Sequence, residues 1–324
     1  MIAWLLRRLA QAALTFAASL LLLFILMRAT PGDPLARLEG DVPLSTEETT
    51  MLKARFGLDQ PLGAQLGTWL RGLTRGELGL SIAHYPDRVE TLLISRLPAT
   101  LLLGGTVLLF NFTIGVWLGV LQAMHRGRRL DRWLARLSLA GYATPSFWLG
   151  LVLIALISHR WGLLPAAQMS DPLMAADASW GIRTVDLIRH LILPVLTLAL
   201  VTIGGTMRYQ RSAMLQVLRQ DFVRAARARG LSPRRVLWRH TWRNAVFPVL
   251  TLFGLWLPML VTGSVFVEYV FNWPGIGSLT AEAIAARDYP LLMGTAILAS
   301  GMVILGGVIT DVGYLLLDPR IREP

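Results

Sequence analysis

Apolar residues along this chain fall into long unbroken runs, not the short alternations of a half-buried sheet. Six runs are long enough to cross a bilayer, which takes roughly 17–25 residues each. They cover Leu9–Met27, Thr100–Leu121, Leu137–Ser158, Leu191–Met207, Ala245–Val267 and Leu291–Leu317. The fourth carries Pro194, tolerable near a helix start because first-turn N–H groups lack partners anyway. The fifth carries Pro248 and Pro258, and a kink is expected there. The pattern predicts an all-α membrane protein with six transmembrane helices. An N-terminal helix occupies 1–28, an external segment 29–99, the core helices 100–317 and a short tail 318–324.

The segment between the first two runs is the candidate for a small external domain. "STEETTMLKARFGL" has helical patterning, with Ser45 as N-cap and Glu48 placed three residues later to complete a capping box. "LGTWLRGLTRGELGLSI" reads as a second short helix broken by glycines. No catalytic set and no internal repeat stands out.

Composition agrees with the pattern. Of 324 residues, 54% are hydrophobic and 16% charged, against about 25% charged in a soluble domain. Cysteine is absent, which excludes disulfides, thiolate metal sites and cysteine catalysis. The five histidines are scattered without metal-ligand spacing. Arg7 and Arg8 precede the first run, as in a signal peptide, but the run exceeds the roughly 7–15 residues of such a region and "MRATPGDP" offers no A-x-A site. An uncleaved helix is expected.

Charge then orients the helices. With six crossings, both termini and alternate loops share one side, and that side holds nineteen basic residues against four in the two short loops opposite. The arginine-rich side, with both ends, is expected in the cytoplasm. Among the polar residues inside the runs, Asn111 and Asp311 are singled out. An ionisable group there is costly and usually faces the bundle or a cavity. Asp311 either pairs with an arginine near the cytoplasmic interface or contacts a solute.

The densest charge lies in "DFVRAARARGLSPRRVLWRHTWRN", Asp221 to Asn244, with seven arginines and one acid. It reads as helix, turn, helix inside a cytoplasmic loop 208–244. Alanines favour the first helix, Gly230 can take the left-handed conformation that closes it, and Ser232 with Pro233 restarts the chain. Trp238, Trp242 and Ala245 fall on one face, running on into the fifth apolar run. A DNA-binding reading would need the second helix in a major groove, yet its end leads into the bilayer. A solvated loop touching anionic lipid accounts for the charge but not for the two-helix layout. A short helix with small side chains is what a partner's groove accepts.

"RAARARG", Arg224 to Gly230, resembles the EAA-x-x-x-G loop of ABC importer permeases, with Arg224 in place of the glutamate. "PGDP", "GLDQPLGAQLGTWL", "RLPATLLL", "EYVFNWPGIGSLTAEAIAARDYPLLMG" and "LLDPRIR" follow in order along the chain. Together they are similar, nearly end to end, to the B-type membrane subunit of dipeptide, oligopeptide and nickel ABC importers. The resemblance implies the type I importer permease fold, a second homologous permease subunit, two cytoplasmic ATPases and an external solute-binding protein. It implies a peptide substrate, with nickel or a nickel chelate as the alternative. No G-x-x-x-x-G-K-[ST] phosphate loop is present. ATP and Mg would therefore sit on the partner ATPases, and no cofactor on this chain.

The same resemblance makes Asp221, Phe222, Arg224, Ala225, Ala226, Arg229, Gly230 and Leu231 the ATPase-coupling loop. Ala225 and Ala226 would let the helix seat closely, while Arg224 and Arg229 either pair with partner acids or stay solvated. Glu268, Trp273, Pro274, Gly275 and Gly277 belong to the outer rim, where the binding protein docks or substrate enters. Trp273 is also the side chain that would anchor a plain external turn at the membrane surface. Glu268 would meet a peptide's amino group or face water. Two readings of other classes remain: a membrane-anchored protein whose arginine loop binds lipid or nucleic acid, and an ion-coupled carrier. The carrier calls for inverted repeats or several midplane acids, and neither is found.

Overall fold

The computed structural model describes residues 2–29, 46–55, 57, 59–175 and 177–317. Among these the regular structure is helical apart from one isolated antiparallel bridge, Leu80 with Arg88. "PGDP" and most of "LLDPRIR" lie outside the described residues, as does Ser45 of the expected capping box.

Helix α1 spans Ile2–Ala29, followed by the short helices α2 (Thr46–Arg55) and α3 (Leu62–Thr74). Pro61 fixes the start of α3, and Gly76, with φ of 76°, turns the chain beyond its end. Helix α4 (Val89–Met124) then contains the second apolar run and starts well before it, with Pro98 inside. Its 36 residues make a rod of about 54 Å, against about 30 Å of hydrocarbon. Helix α4 is therefore longer than the hydrocarbon is thick.

The third run is not one helix. It divides into α5 (Arg129–Ala143) and α6 (Ser146–Leu153), the latter continuing as a π-helical segment Ile154–Arg160. The two halves meet at 99°. Pro145 explains the break, since it donates no N–H and forces Thr144 into extended backbone, ψ 125°. Helix α7 (Trp180–Val217) is capped by the Ser179 side chain. Pro194 lies deep in its interior and not near its start.

Next come α8 (Asp221–Ala228), α9 (Pro233–Arg235), a π-helical segment Val236–Trp242 and α10 (Arg243–Ala245). The fifth run is broken, not merely kinked, into α11 (Phe247–Trp256), α12 (Met259–Thr262) and α13 (Val265–Val270). Pro258 stands at the N-cap of α12, and Gly263 ends it with φ of 65°. Helices α14 (Ile276–Ala286) and α15 (Tyr289–Leu317) complete the described chain. Among the described residues four helices, α1, α4, α7 and α15, are long and apolar enough to cross a membrane, and the bent α5–α6 pair, taken as one span, makes a fifth.

Helices α4 and α7 run parallel and form the central pair. At one end Leu103 and Val107 pack with Leu193 and Leu198. At the other, Val120 and Ala123 pack with Ala213, Met214 and Ala245. Small residues permit the approach, because helix association in lipid rests on close van der Waals contact. Gly115 and Gly119, four apart on α4, lie against Thr206 and Gln210 of α7. Helices α1 and α15 are antiparallel: Arg8 pairs with Asp311 at one end, and Phe24 approaches Met293 at the other.

Candidate functional site

The arginine-rich loop folds as a small two-helix unit. Val223 and Ala226 face inward from α8 and meet Val236, with Val217 and Leu218 at the end of α7 and Leu231 in the turn. Asp221, Phe222, Arg224, Ala225, Arg227 and Arg229 are exposed. The alanine pair therefore divides. Ala226 seats α8 on its own chain, and Ala225 alone stays available to a partner. Phe222 is 45% exposed, a large apolar side chain amid arginines. Arg224 meets Asp221 at 3.4 Å, but both side chains are open to solvent and such a pair adds little stability.

Gly230 closes α8. Its φ is 76°, its N–H donates to the Arg227 carbonyl at 2.9 Å, and the Leu231 N–H donates to the Ala226 carbonyl at 3.3 Å. These bonds form a Schellman motif, with Leu231 completing the apolar contact. Ser232 occupies the N-cap position of α9, but its side chain makes no capping bond. The π-helical segment then carries the chain into α11, and the Thr241 hydroxyl donates to the Val236 carbonyl at 3.1 Å.

The "FNWPGIG" turn is built inward. Trp273 is fully buried and does not anchor at a membrane surface; its Nε1 donates to the Ala99 carbonyl of α4 at 2.9 Å. Glu268 faces neither water nor an open path, being wholly enclosed. Its carboxylate accepts from the Ser278 N–H at 3.1 Å and from the Thr100 hydroxyl at 3.4 Å. Thr100 in turn accepts from the Ile276 N–H at 2.7 Å. Helix α14 begins after Gly275, so an acid from α13 caps it, satisfying donors that the helix leaves open. A Cβ at Gly263, Gly275 or Gly277 would collide with this carboxylate. Pro274 is half-buried at the edge of the turn.

The two intramembrane polar residues part company. Asp311 pairs with Arg8. Asn111 is fully buried, and neither atom of its amide has a partner. Residues 221–231 and the Glu268 turn lie at opposite ends of the α4–α7 pair and do not form one site.

Two acids that matter were not singled out in the sequence. Asp288 accepts from the Ile82 and Ala83 N–H groups at 2.8 and 2.9 Å, from the Ser81 hydroxyl, and from the Leu291 N–H at 3.1 Å. It clasps residues 81–83 onto the start of α15. An aspartate immediately before a helix is an N-cap signal that "ARDYP" carries openly. Asp131 receives two bonds from the Arg211 guanidinium, at 2.9 and 3.0 Å, and ties the α4–α5 turn to α7.

Residues 115–323 match the family model of the binding-protein-dependent transport system inner membrane component. Residues 1–104 match the model for the N-terminal region of such membrane components. The chain belongs to this family. A di/tripeptide transport system permease protein of Pseudomonas aeruginosa is 39% identical over 335 residues, covering 100% of this chain and 99% of that protein. An oligopeptide transport system permease protein of Bacillus subtilis is 37% identical over 322 residues, 99% of this chain and 100% of that one. A dipeptide transport system permease protein of Escherichia coli is 36% identical over 339 residues, 100% and 99% respectively.

For an inner membrane component, the Glu268 turn has a further property. Glu268, Trp273 and Ser278 lie in the region matched by one family model, whereas Ala99 and Thr100 lie in that matched by the other. The buried turn joins the two regions of the permease across 168 to 176 positions of sequence.

Proposed function

We propose that this chain is the transmembrane permease subunit of an ATP-driven importer of di- or oligopeptides. The observation that carries the reading is the α8 unit: a short helix with an exposed Phe222 and arginine coat, locked by Gly230 and packed on the end of α7. The names of full-length relatives, all peptide permeases, support the substrate class. The α8 helix seats in a groove of a cytoplasmic ATPase, one of two, with Phe222 as the anchor and Arg224 and Arg229 facing acids. Closure of the ATPases on ATP moves α8. Val223 and Ala226 pass that motion to α7, and Pro233–Asn244 passes it to α11.

The cavity between this chain and a second permease subunit then opens to receive peptide from an external binding protein. Only partners with different affinity for the two states drive such a cycle. In this reading the chain crosses the membrane six times, with α5–α6 and α11–α13 as broken crossings. Residues 29–99 form an external cap, and both termini lie in the cytoplasm. Hydrolysis and its Mg remain on the ATPase chains.

Gly230→Pro tests the coupling role, because proline cannot adopt positive φ. Expected are loss of peptide uptake and ATP hydrolysis no longer stimulated by the loaded binding protein, with the subunit still inserted. Normal uptake by this variant would refute the docking assignment. Parallel uptake of labelled peptide and of Ni²⁺ by the reconstituted complex decides the substrate class.

A further inference from the structure

At the end of the α1–α15 pair remote from Arg8 and Asp311 lies a cavity of about 410 Å³. That is within the roughly 300–1,000 Å³ of a small-molecule site. Three separate parts of the chain enclose it: the end of α1, the external helices α2 and α3, and the start of α15. Its walls include Phe24, Met27 and Met293, and Phe24 is backed by Trp69 with ring centroids 5.9 Å apart. Two lining residues carry buried polar atoms without a partner, Gln65 Oε1 and Tyr289 Oη. The Gln65 amide is already committed on its other side, since Nε2 donates to the Gln60 carbonyl at 2.7 Å. The exposed Glu77 stands among the lining residues.

Unpaired buried polar atoms are rare and call for a partner. A ligand that meets this set has an apolar chain, a hydrogen-bond acceptor for the tyrosine hydroxyl, and a cationic donor for the amide oxygen and carboxylate. We propose that the cavity holds the primary-ammonium head group and the upper part of one acyl chain of a phospholipid, the rest of the lipid remaining outside. Its acyl chain lies along Phe24, Met27 and Met293. An ester or phosphate oxygen accepts from Tyr289, and the ammonium donates to Gln65 Oε1 and Glu77. A lipid is favoured over a peptide because the wall belongs to α1, whose neighbouring Leu21, Leu22 and Ile25 are about half exposed on a membrane helix.

The complete transporter, reconstituted with a trace of phosphatidylethanolamine bearing an acyl-chain diazirine, is irradiated and its labelled peptides are mapped. Label is expected in residues 65–79 and 289–293, beside annular label in residues 14–25. Gln65→Leu with Tyr289→Phe removes the polar atoms without changing volume. It should lower the cavity label by about threefold to tenfold for each hydrogen bond lost, with the annular label unchanged. Met293→Trp, which intrudes on the space where the acyl chain lies, should lower the cavity label by a separate route. Annular label alone in the unaltered protein, equal cavity label in both variants, or suppression by transported peptide would each overturn the proposal. Equal labelling by a phosphatidylglycerol probe would overturn the head-group assignment.

Discussion

At the scale of single residues, the turn before α14 depends on the shape of one carboxylate. Gly275→Ala would place a methyl against both Glu268 and the Thr100 hydroxyl. It should destabilise the subunit by about 1–3 kcal/mol, as overpacking does, read as a lowered melting temperature of the purified complex. Thr100→Val removes the acceptor of the Ile276 N–H, leaving a buried donor unpaired at a similar cost of about 1–3 kcal/mol. The same measurement checks it, and an unchanged melting temperature would remove Thr100 from the clasp. The sequence placed Glu268, Trp273 and the glycines together but pointed them outward. Trp favours membrane surfaces, and nothing local says that an acceptor waits at Ala99, 174 positions away. Gly230 was legible because its conformation is dictated by neighbours in the chain.

Among the elements, the spacing of small residues decides which helices touch. A Cβ on Gly119 would stand 2.6 Å from the Met207 carbonyl, whereas one on Gly205 meets nothing within 4 Å. Gly119→Ala should therefore lower stability by about 1–3 kcal/mol. Gly205→Ala should raise it by up to about 1 kcal/mol through helix propensity alone. Thermal unfolding of the two variants side by side checks both signs. Apolar run length located the helices α1 and α15 closely, because lipid demands a continuous stretch. The same criterion joined α5 to α6 across Pro145 and α11 to α13 across Gly263. Hydropathy has no direction, so a bend of 99° leaves the apolar run intact.

For the whole molecule, two further clasps fasten distant parts of the chain. Asp288 holds residues 81–83 against the start of α15. Asp288→Asn turns an amide donor toward N–H groups that need an acceptor, so a loss of about 1–3 kcal/mol is expected. Faster proteolysis within residues 75–88 would report the release, and unchanged cleavage would count against the clasp. This link was invisible in the sequence because it spans over 200 positions, although its N-cap half was written locally. The other clasp, Arg8 with Asp311, joins residues 303 positions apart, and α15 is the principal neighbour of α1. Synthesis proceeds at about 5–20 residues per second, so the last helix leaves the ribosome roughly 15–60 s after the first. The first helix made thus meets its principal neighbour last, with its Phe24–Trp69 contact to α3 available in the interval.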